Sequence, residues 1–164
     1  YADFTRSYGD TDWTFEGPEL FKRAVIGMSG ACADVLTGRH LTPEDISLVV
    51  PHQANLRIIE AVAKRAGVPM ERVFVNVHRY GNMSSATVPV ALVEALEEGR
   101  VQPDSLVLMP AFGAGLTWCA HLVRWGERVT PKGTTDVELP RCDKTALELV
   151  QGFIRRKDSD VYRR

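Results

Sequence analysis

Apolar side chains return at three- and four-residue steps through the first third of the chain. Leu20, Phe21, Ala24, Val25, Met28, Cys32, Val35 and Leu36 fall on one face of a predicted helix. Pro18 suits its first turn and Gly38 its stop. Gly27 and Gly30 weaken it by about 1 kcal/mol each relative to alanine. Thr42 to Asp45 reads as a turn or a short helical start. The pattern then becomes a continuous apolar run, Ile46 to Val50, ended by Pro51, which marks a buried strand. Leu56, Ile59, Val62 and Ala63 define a second helix from about Asn55 to Ala66, closed by Gly67. Val73 to Val77 is the next predicted strand. Ser84 or Ser85 caps a third helix running to Glu98, with Val88, Leu92, Ala95 and Leu96 inward and Pro89 in its first turn. Ser105 to Met109 and Leu116 to Trp125 are two further strands. Phe112-Gly113-Ala114-Gly115 between them permits the tight reversal of a hairpin.

Strands alternating with helices over short connections imply right-handed crossovers. The predicted fold is α/β: a mixed, mostly parallel sheet with flanking helices and an antiparallel edge strand. This domain is placed at 17–125. Residues 1–16, polar and rich in Gly, Asp and Thr, are expected to be an irregular N-terminal segment. Residues 126–164 carry Pro131, Gly133, Thr134, Thr135 and Pro140 among mixed charges, and are expected to form an extension with one short helix from about Asp143 to Arg156.

A chain of 164 residues, 45% hydrophobic, has room for one domain with a sizeable core. A net charge of -1 removes any electrostatic case for a nucleic-acid or membrane-surface protein. The apolar runs at 105–110 and 114–123 are too short to span a bilayer. Cys32, Cys119 and Cys142 are odd in number and far apart, which argues against a disulfide framework. With a polar opening stretch in place of a charged-then-apolar leader, the expected setting is the cytoplasm. His40, His78 and His121 lack metal-ligand spacing, and Gly113-Ala114-Gly115 lacks the further glycine and the helix of a dinucleotide fingerprint. No metal and no cofactor are expected.

Ligands in open α/β sheets collect at the carboxyl ends of parallel strands. Three segments sit at such ends: Pro51-His52-Gln53-Ala54-Asn55, His78-Arg79-Tyr80-Gly81-Asn82 and Phe112-Gly113-Ala114-Gly115. If the strands are parallel neighbours, an imidazole, a carboxamide and exposed backbone N–H groups meet on one rim. Asparagine transfers no proton at neutral pH, so a His/Asn pair without a carboxylate suits stabilisation of an oxyanion better than a proton relay. An enolate or a thioester carbonyl is the natural client. Taken singly, each residue has a plainer reading: a structural histidine, an asparagine in a turn, glycines serving hairpin geometry.

Pro-His-Gln-Ala-Asn-Leu-Arg at 51–57, Arg-Tyr-Gly-Asn-Met-Ser-Ser-Ala at 79–86 and Ala-Phe-Gly-Ala-Gly-Leu-Thr-Trp at 111–118 resemble the C-terminal half of β-ketoacyl-acyl-carrier-protein synthase III. The order and spacing of the motifs match, as does the helix opening Glu19-Leu20-Phe21-Lys22-Arg23-Ala24-Val25, so the likeness runs from about Thr14 to Arg124. It implies a thiolase-like fold and a decarboxylative Claisen condensation of malonyl-acyl-carrier protein with an acyl-CoA primer in fatty-acid biosynthesis. His52 and Asn82 correspond to the histidine and asparagine of the family's Cys-His-Asn site, which polarise the malonyl thioester and stabilise its enolate. Asn55 matches a supporting asparagine, and the Ala114 N–H a backbone donor to the acyl oxyanion. Phe112 matches the aromatic residue beside the site, and Phe15, Gly17, Ala54 and Ile58 match substrate-tunnel positions. Arg57 sits where a basic side chain contacts pantetheine phosphate or the acidic carrier protein. The implied partners are acyl-carrier protein, an acyl thioester, the N-terminal half of the same enzyme and a second copy in a homodimer.

The chain departs from the family in three ways. The resemblance places the nucleophilic cysteine in an N-terminal half, which the 164 residues are not expected to include. Ser29-Gly30-Ala31-Cys32-Ala33 imitates its loop, yet Cys32 falls on the apolar stripe of a helix, where a buried thiol is inert. Cys119 is expected in the core and Cys142 in the tail, and Trp118 and Trp125 are expected to be packing residues. Met83 stands where threonine is common. Residues 126–164 run beyond the family's usual end. The isolated chain is therefore expected to be inactive, and two other readings stay open: a thiolase-fold acyltransferase of polyketide or antibiotic biosynthesis, and a non-catalytic partner subunit.

Overall fold

The computed structural model describes residues 16–130, 133, 135–138, 141–145, 147–149 and 151. Phe15 and the remainder of the predicted irregular opening lie outside the described residues. In chain order the elements are α1 (Gly17–Thr37), β1 (Leu48–Val49), α2 (Leu56–Ala66), the single turn α3 (Val77–Tyr80), α4 (Thr87–Glu97), β2 (Leu106–Gly113) and β3 (Thr117–Arg124). They belong to one compact unit, Glu16–Thr134. No helix among the described residues is long and apolar enough to cross a membrane.

β1 pairs in parallel with β2, Leu48 opposite Val107, and β2 pairs antiparallel with β3 from Leu106–Arg124 to Gly113–Thr117. The hairpin expected from the glycine turn is present. Gly115 sits at φ 138°, where a Cβ would stand 2.8 Å from Thr117 Cγ2, so the reversal requires glycine. Alternation through β1 and β2 explains their unbroken apolar runs. Val49, Leu106 and Leu108 pack with Cys32, Leu36, Ile59 and Ala63 of α1 and α2. Leu48, Val50 and Val107 point the other way, against Ala91 and Ala95 of α4. A strand covered on both faces has no polar side.

The structure corrects several expectations. The Val73–Val77 strand is reduced to a single parallel bridge, Val73 to Val49, because the Asn76 and Val77 N–H groups turn aside to a side chain and residues 77–80 coil into α3. Ser84 and Ser85 do not cap the third helix: they lie in a 3₁₀ turn, Ser84–Ala86, and α4 starts at Thr87. β2 continues past Met109 through Pro110, whose carbonyl still accepts a bond from His52 N at 2.8 Å. Cys119 is exposed on β3 instead of buried in the core. Trp118 is half exposed, yet its ring lies over α1 at Gly27, where a Cβ would meet Trp118 Cδ2 at 2.6 Å. Gly27 is thus a point of close approach as well as a weak helix residue. In a further compact unit that takes in the chain from Thr135 onward, residues 147–149 and 151 are helical, and Thr145 and Glu148 cap that turn reciprocally at 2.7 and 3.3 Å. The rest of the predicted 143–156 helix lies outside the described residues.

Candidate active site

His52 stands one step beyond the parallel ladder. Backbone bonds from Ser47, Val50 and His52 N to the carbonyls of Leu106, Leu108 and Pro110 hold its Cα at the strand end. The imidazole is buried, and its Nδ1 lies 2.6 Å from Thr87 Oγ1 at the start of α4. Burial pushes the His52 pKa below the usual 6.5, so the ring is neutral at neutral pH. Thr87 Oγ1 is also 3.0 Å from the Ser84 carbonyl.

Gln53 ties the first strand end to the second. It is fully buried, and its Nε2 donates to the carbonyls of Pro51 (2.9 Å) and Phe74 (3.1 Å). Its Oε1 accepts from the N–H groups of Asn76 (3.0 Å) and Val77 (3.1 Å). A side-chain amide thus does what a second parallel strand would do with its backbone. On the far side of the turn, the Glu94 carboxylate of α4 accepts from Tyr80 Oη, Asn76 Nδ2 and Arg79 Nη1. These bonds, led by the one from Tyr80, hold its pKa below the ordinary glutamate value. Gln53 and Glu94 together fix the segment that leads into Gly81-Asn82.

Asn82 is exposed, and its Oδ1 accepts from Ser84 N at 2.9 Å. That bond assigns the amide's orientation and leaves Nδ2 with no acceptor among the described residues. The path from His52 to Asn82 therefore runs through Thr87 and Ser84 in three hydrogen bonds. Ala114 occupies the turn between β2 and β3, and its N–H makes no backbone hydrogen bond among the described residues.

Other predicted positions separate. Ala54, Ile58 and Phe112 share one apolar cluster with Ala24, Met28 and Val62. Gly17 is exposed at the first position of α1 and is not part of that cluster. Asn55 is the N-cap of α2, its Oδ1 accepting from Ile58 N at 3.0 Å, so its carbonyl oxygen is committed to the helix. Arg57 is exposed, with its guanidinium 5.6 Å from the centre of the Phe21 ring. Cys32 is buried, and desolvation pushes its thiol pKa up to about 12, which leaves it no thiolate at neutral pH. Among the described residues no group of three or more His, Cys, Asp or Glu could hold a metal ion.

Sequence reasoning missed Gln53, Thr87 and Glu94. Thr87 had a signal: with Ala91 and Ala95 it forms a stripe at four-residue spacing that is 0% exposed throughout, and a hydroxyl there needs a partner. Gln53 is a polar side chain next to a buried strand, which carries the same demand.

Residues 36–125 match the family described as "3-Oxoacyl-[acyl-carrier-protein (ACP)] synthase III C terminal". The chain is 54% identical over 144 residues to β-ketoacyl-[acyl-carrier-protein] synthase III 2 of Vibrio cholerae, covering 87% of this chain and 40% of that protein. That alignment is long enough to take in part of the segment after Trp125, where the family match ends. The crystal structure of 3-oxoacyl-[acyl-carrier-protein] synthase III from Aquifex aeolicus superimposes with a TM-score of 0.67 at 51% identity, over 68% of this chain and 36% of that one. The synthase III of Thermus thermophilus gives a TM-score of 0.67 at 52% identity, over 70% and 36%. The chain thus spans about two fifths of the length of the relatives it matches.

Proposed function

Because the chain belongs to the family of 3-oxoacyl-[acyl-carrier-protein] synthase III C-terminal domains, we propose that it supplies the His/Asn half of a decarboxylative condensing site. In this reading the thioester carbonyl of malonyl-acyl-carrier protein sits between His52 Nε2–H and Asn82 Nδ2–H. Loss of carbon dioxide leaves its electron pair on the α-carbon, delocalised onto the carbonyl oxygen, and the two donors stabilise that charge. The α-carbon then attacks an acyl thioester held on a cysteine of the complementary half. The new carbon–carbon bond forms as the carbon–sulfur bond breaks, and the thiolate leaves. The Ala114 N–H is the proposed donor to the acyl oxyanion.

The observation that carries the reading is that one polar atom of each side chain is already engaged within the chain. Asn82 spends its oxygen on Ser84 N, and His52 spends Nδ1 on Thr87, so each side chain keeps a nitrogen for something else. No carboxylate partners either one among the described residues, which fits charge stabilisation better than a proton relay. Arg57 is the proposed contact for pantetheine phosphate or an acidic carrier protein, and Ala54, Ile58 and Phe112 the proposed acyl-facing wall. Phe15 and Gly17 remain proposed tunnel positions, and Asn55 a proposed support beside His52. An N-terminal half, a second copy of the enzyme and a cytoplasmic setting complete the proposal.

The test is a chimera in which this chain replaces the matched 40% of the Vibrio cholerae relative. The chimera is expected to release carbon dioxide from malonyl-acyl-carrier protein and to condense it with an acyl-CoA. His52→Ala or Asn82→Ala is expected to lower decarboxylation by about 100-fold or more, the worth of one oxyanion donor, while self-acylation of the cysteine persists. Full condensation in the His52→Ala chimera overturns the reading. The isolated chain is expected to give no turnover: Cys32 is buried with its thiol pKa raised, and the resemblance assigns the nucleophile to the complementary half.

A further inference from the structure

We propose that Thr87 is a positioning residue that selects the tautomer of His52, donating its hydroxyl proton to Nδ1 so that the ring proton resides on Nε2. The inference takes its purpose from the oxyanion reading above, but the tautomer is a property of the chain itself.

A neutral imidazole has one proton and two nitrogens, and only the Nε2–H form can donate to a substrate oxygen when Nδ1 faces the protein. With the proton on Nδ1, Nε2 would present a lone pair and repel a developing oxyanion. Burial keeps His52 neutral, so the choice between the two forms decides what the ring can do.

Thr87 has a single hydroxyl proton and two acceptors within reach: His52 Nδ1 at 2.6 Å and the Ser84 carbonyl at 3.0 Å. The Ser84 carbonyl already receives the Thr87 backbone N–H, so it stays satisfied when the hydroxyl turns to the ring. Nδ1 has no other partner among the described residues. Thr87 is 0% exposed, β-branched and in the first turn of α4, so no water competes for its hydroxyl and its rotamer is held.

The experiment uses the 164-residue chain labelled with ¹⁵N-histidine. Long-range ¹H–¹⁵N correlation at neutral pH reads the two His52 nitrogens directly. The wild-type chain is expected to show a protonated Nε2 and an unprotonated Nδ1. Thr87→Val keeps the shape and removes the hydroxyl, and is expected to lower the Nε2–H population at least twofold. Thr87→Ser is expected to restore it. A wild-type ring protonated on Nδ1 overturns the inference, as does a folded Thr87→Val chain with the wild-type tautomer. The wild-type spectrum decides the first point even if the valine variant fails to fold. If the tautomer follows Thr87 while the chimera lacks decarboxylation, the functional reading falls and this inference stands. An active chimera whose His52 keeps its proton on Nε2 when Thr87 is valine overturns the inference and leaves the functional reading in place.

Discussion

Replacing Gln53 by methionine keeps the length of the side chain and removes its amide. Two carbonyls, of Pro51 and Phe74, and two N–H groups, of Asn76 and Val77, then lose their partner. None of the four makes another backbone hydrogen bond among the described residues. A buried backbone group left unpaired costs about 1–3 kcal/mol. Taken at the low end, because the turn can relax toward water, the four together cost about 4 kcal/mol. Domains are held folded by only about 5–15 kcal/mol. At about 2–4 °C per kcal/mol for a chain of this size, the thermal midpoint is expected to fall by about 10 °C. Urea unfolding followed by far-ultraviolet circular dichroism reads the same quantity as a lower midpoint with an unchanged slope. Gln53→Glu refines the test. It keeps an acceptor for Asn76 and Val77 but sets an oxygen against two carbonyls, so its loss at neutral pH is expected to ease in mild acid as the carboxyl gains a proton. A loss below about 1 kcal/mol in the methionine variant would refute the clasp, since a single unpaired group already costs that much.

Three further outcomes can be checked on the same chain. The His52 ring is expected to titrate below 6.5 by NMR. Because its folded pKa lies below its unfolded one, its contribution to stability is complete above about 6.5 and is lost as pH falls toward the folded value. A midpoint above 6.5 would contradict the burial argument. Alkylation at pH 8 followed by intact mass is expected to modify Cys119 and Cys142 quickly and Cys32 only on unfolding; rapid labelling at three sites would refute it. Gly27→Ala is expected to lower stability by about 1 kcal/mol and to shift tryptophan fluorescence, because the cost of overpacking against Trp118 exceeds the gain in helix propensity. A stabilised variant with an unchanged spectrum would disprove the close approach.

Helices are the most legible part of the sequence. The apolar spacing from Leu20 to Leu36 and the Asn55 and Gly67 ends of α2 each depend on local chemistry, and the structure follows them closely. The Val73–Val77 run misleads because three valines within five residues favour a strand, whereas a distant glutamine captures the N–H groups a strand would need. Pro110 suggests a strand end for its missing N–H, but in β2 it is the carbonyl that matters, and proline keeps that. At the site, His52 and Asn82 are legible as residue types at strand ends. Their supports are not, because Gln53, Thr87 and Glu94 act on partners far away in sequence and no periodicity encodes such pairs. Cys119 departs from its expected burial because alternation along β3 turns it away from the face on which Ala120 and Leu122 pack against the α1 and α2 cluster.

The contact of Trp118 with Gly27 makes two distant positions into one spacer. The thickness of an indole sets how far the longest helix stands from the hairpin, and the bare backbone beneath accepts that thickness and no more. Relatives carrying a bulkier residue on the helix are therefore expected to carry a slimmer one on the strand. In the laboratory, Gly27→Ala combined with Trp118→Leu is expected to recover what the alanine alone forfeits.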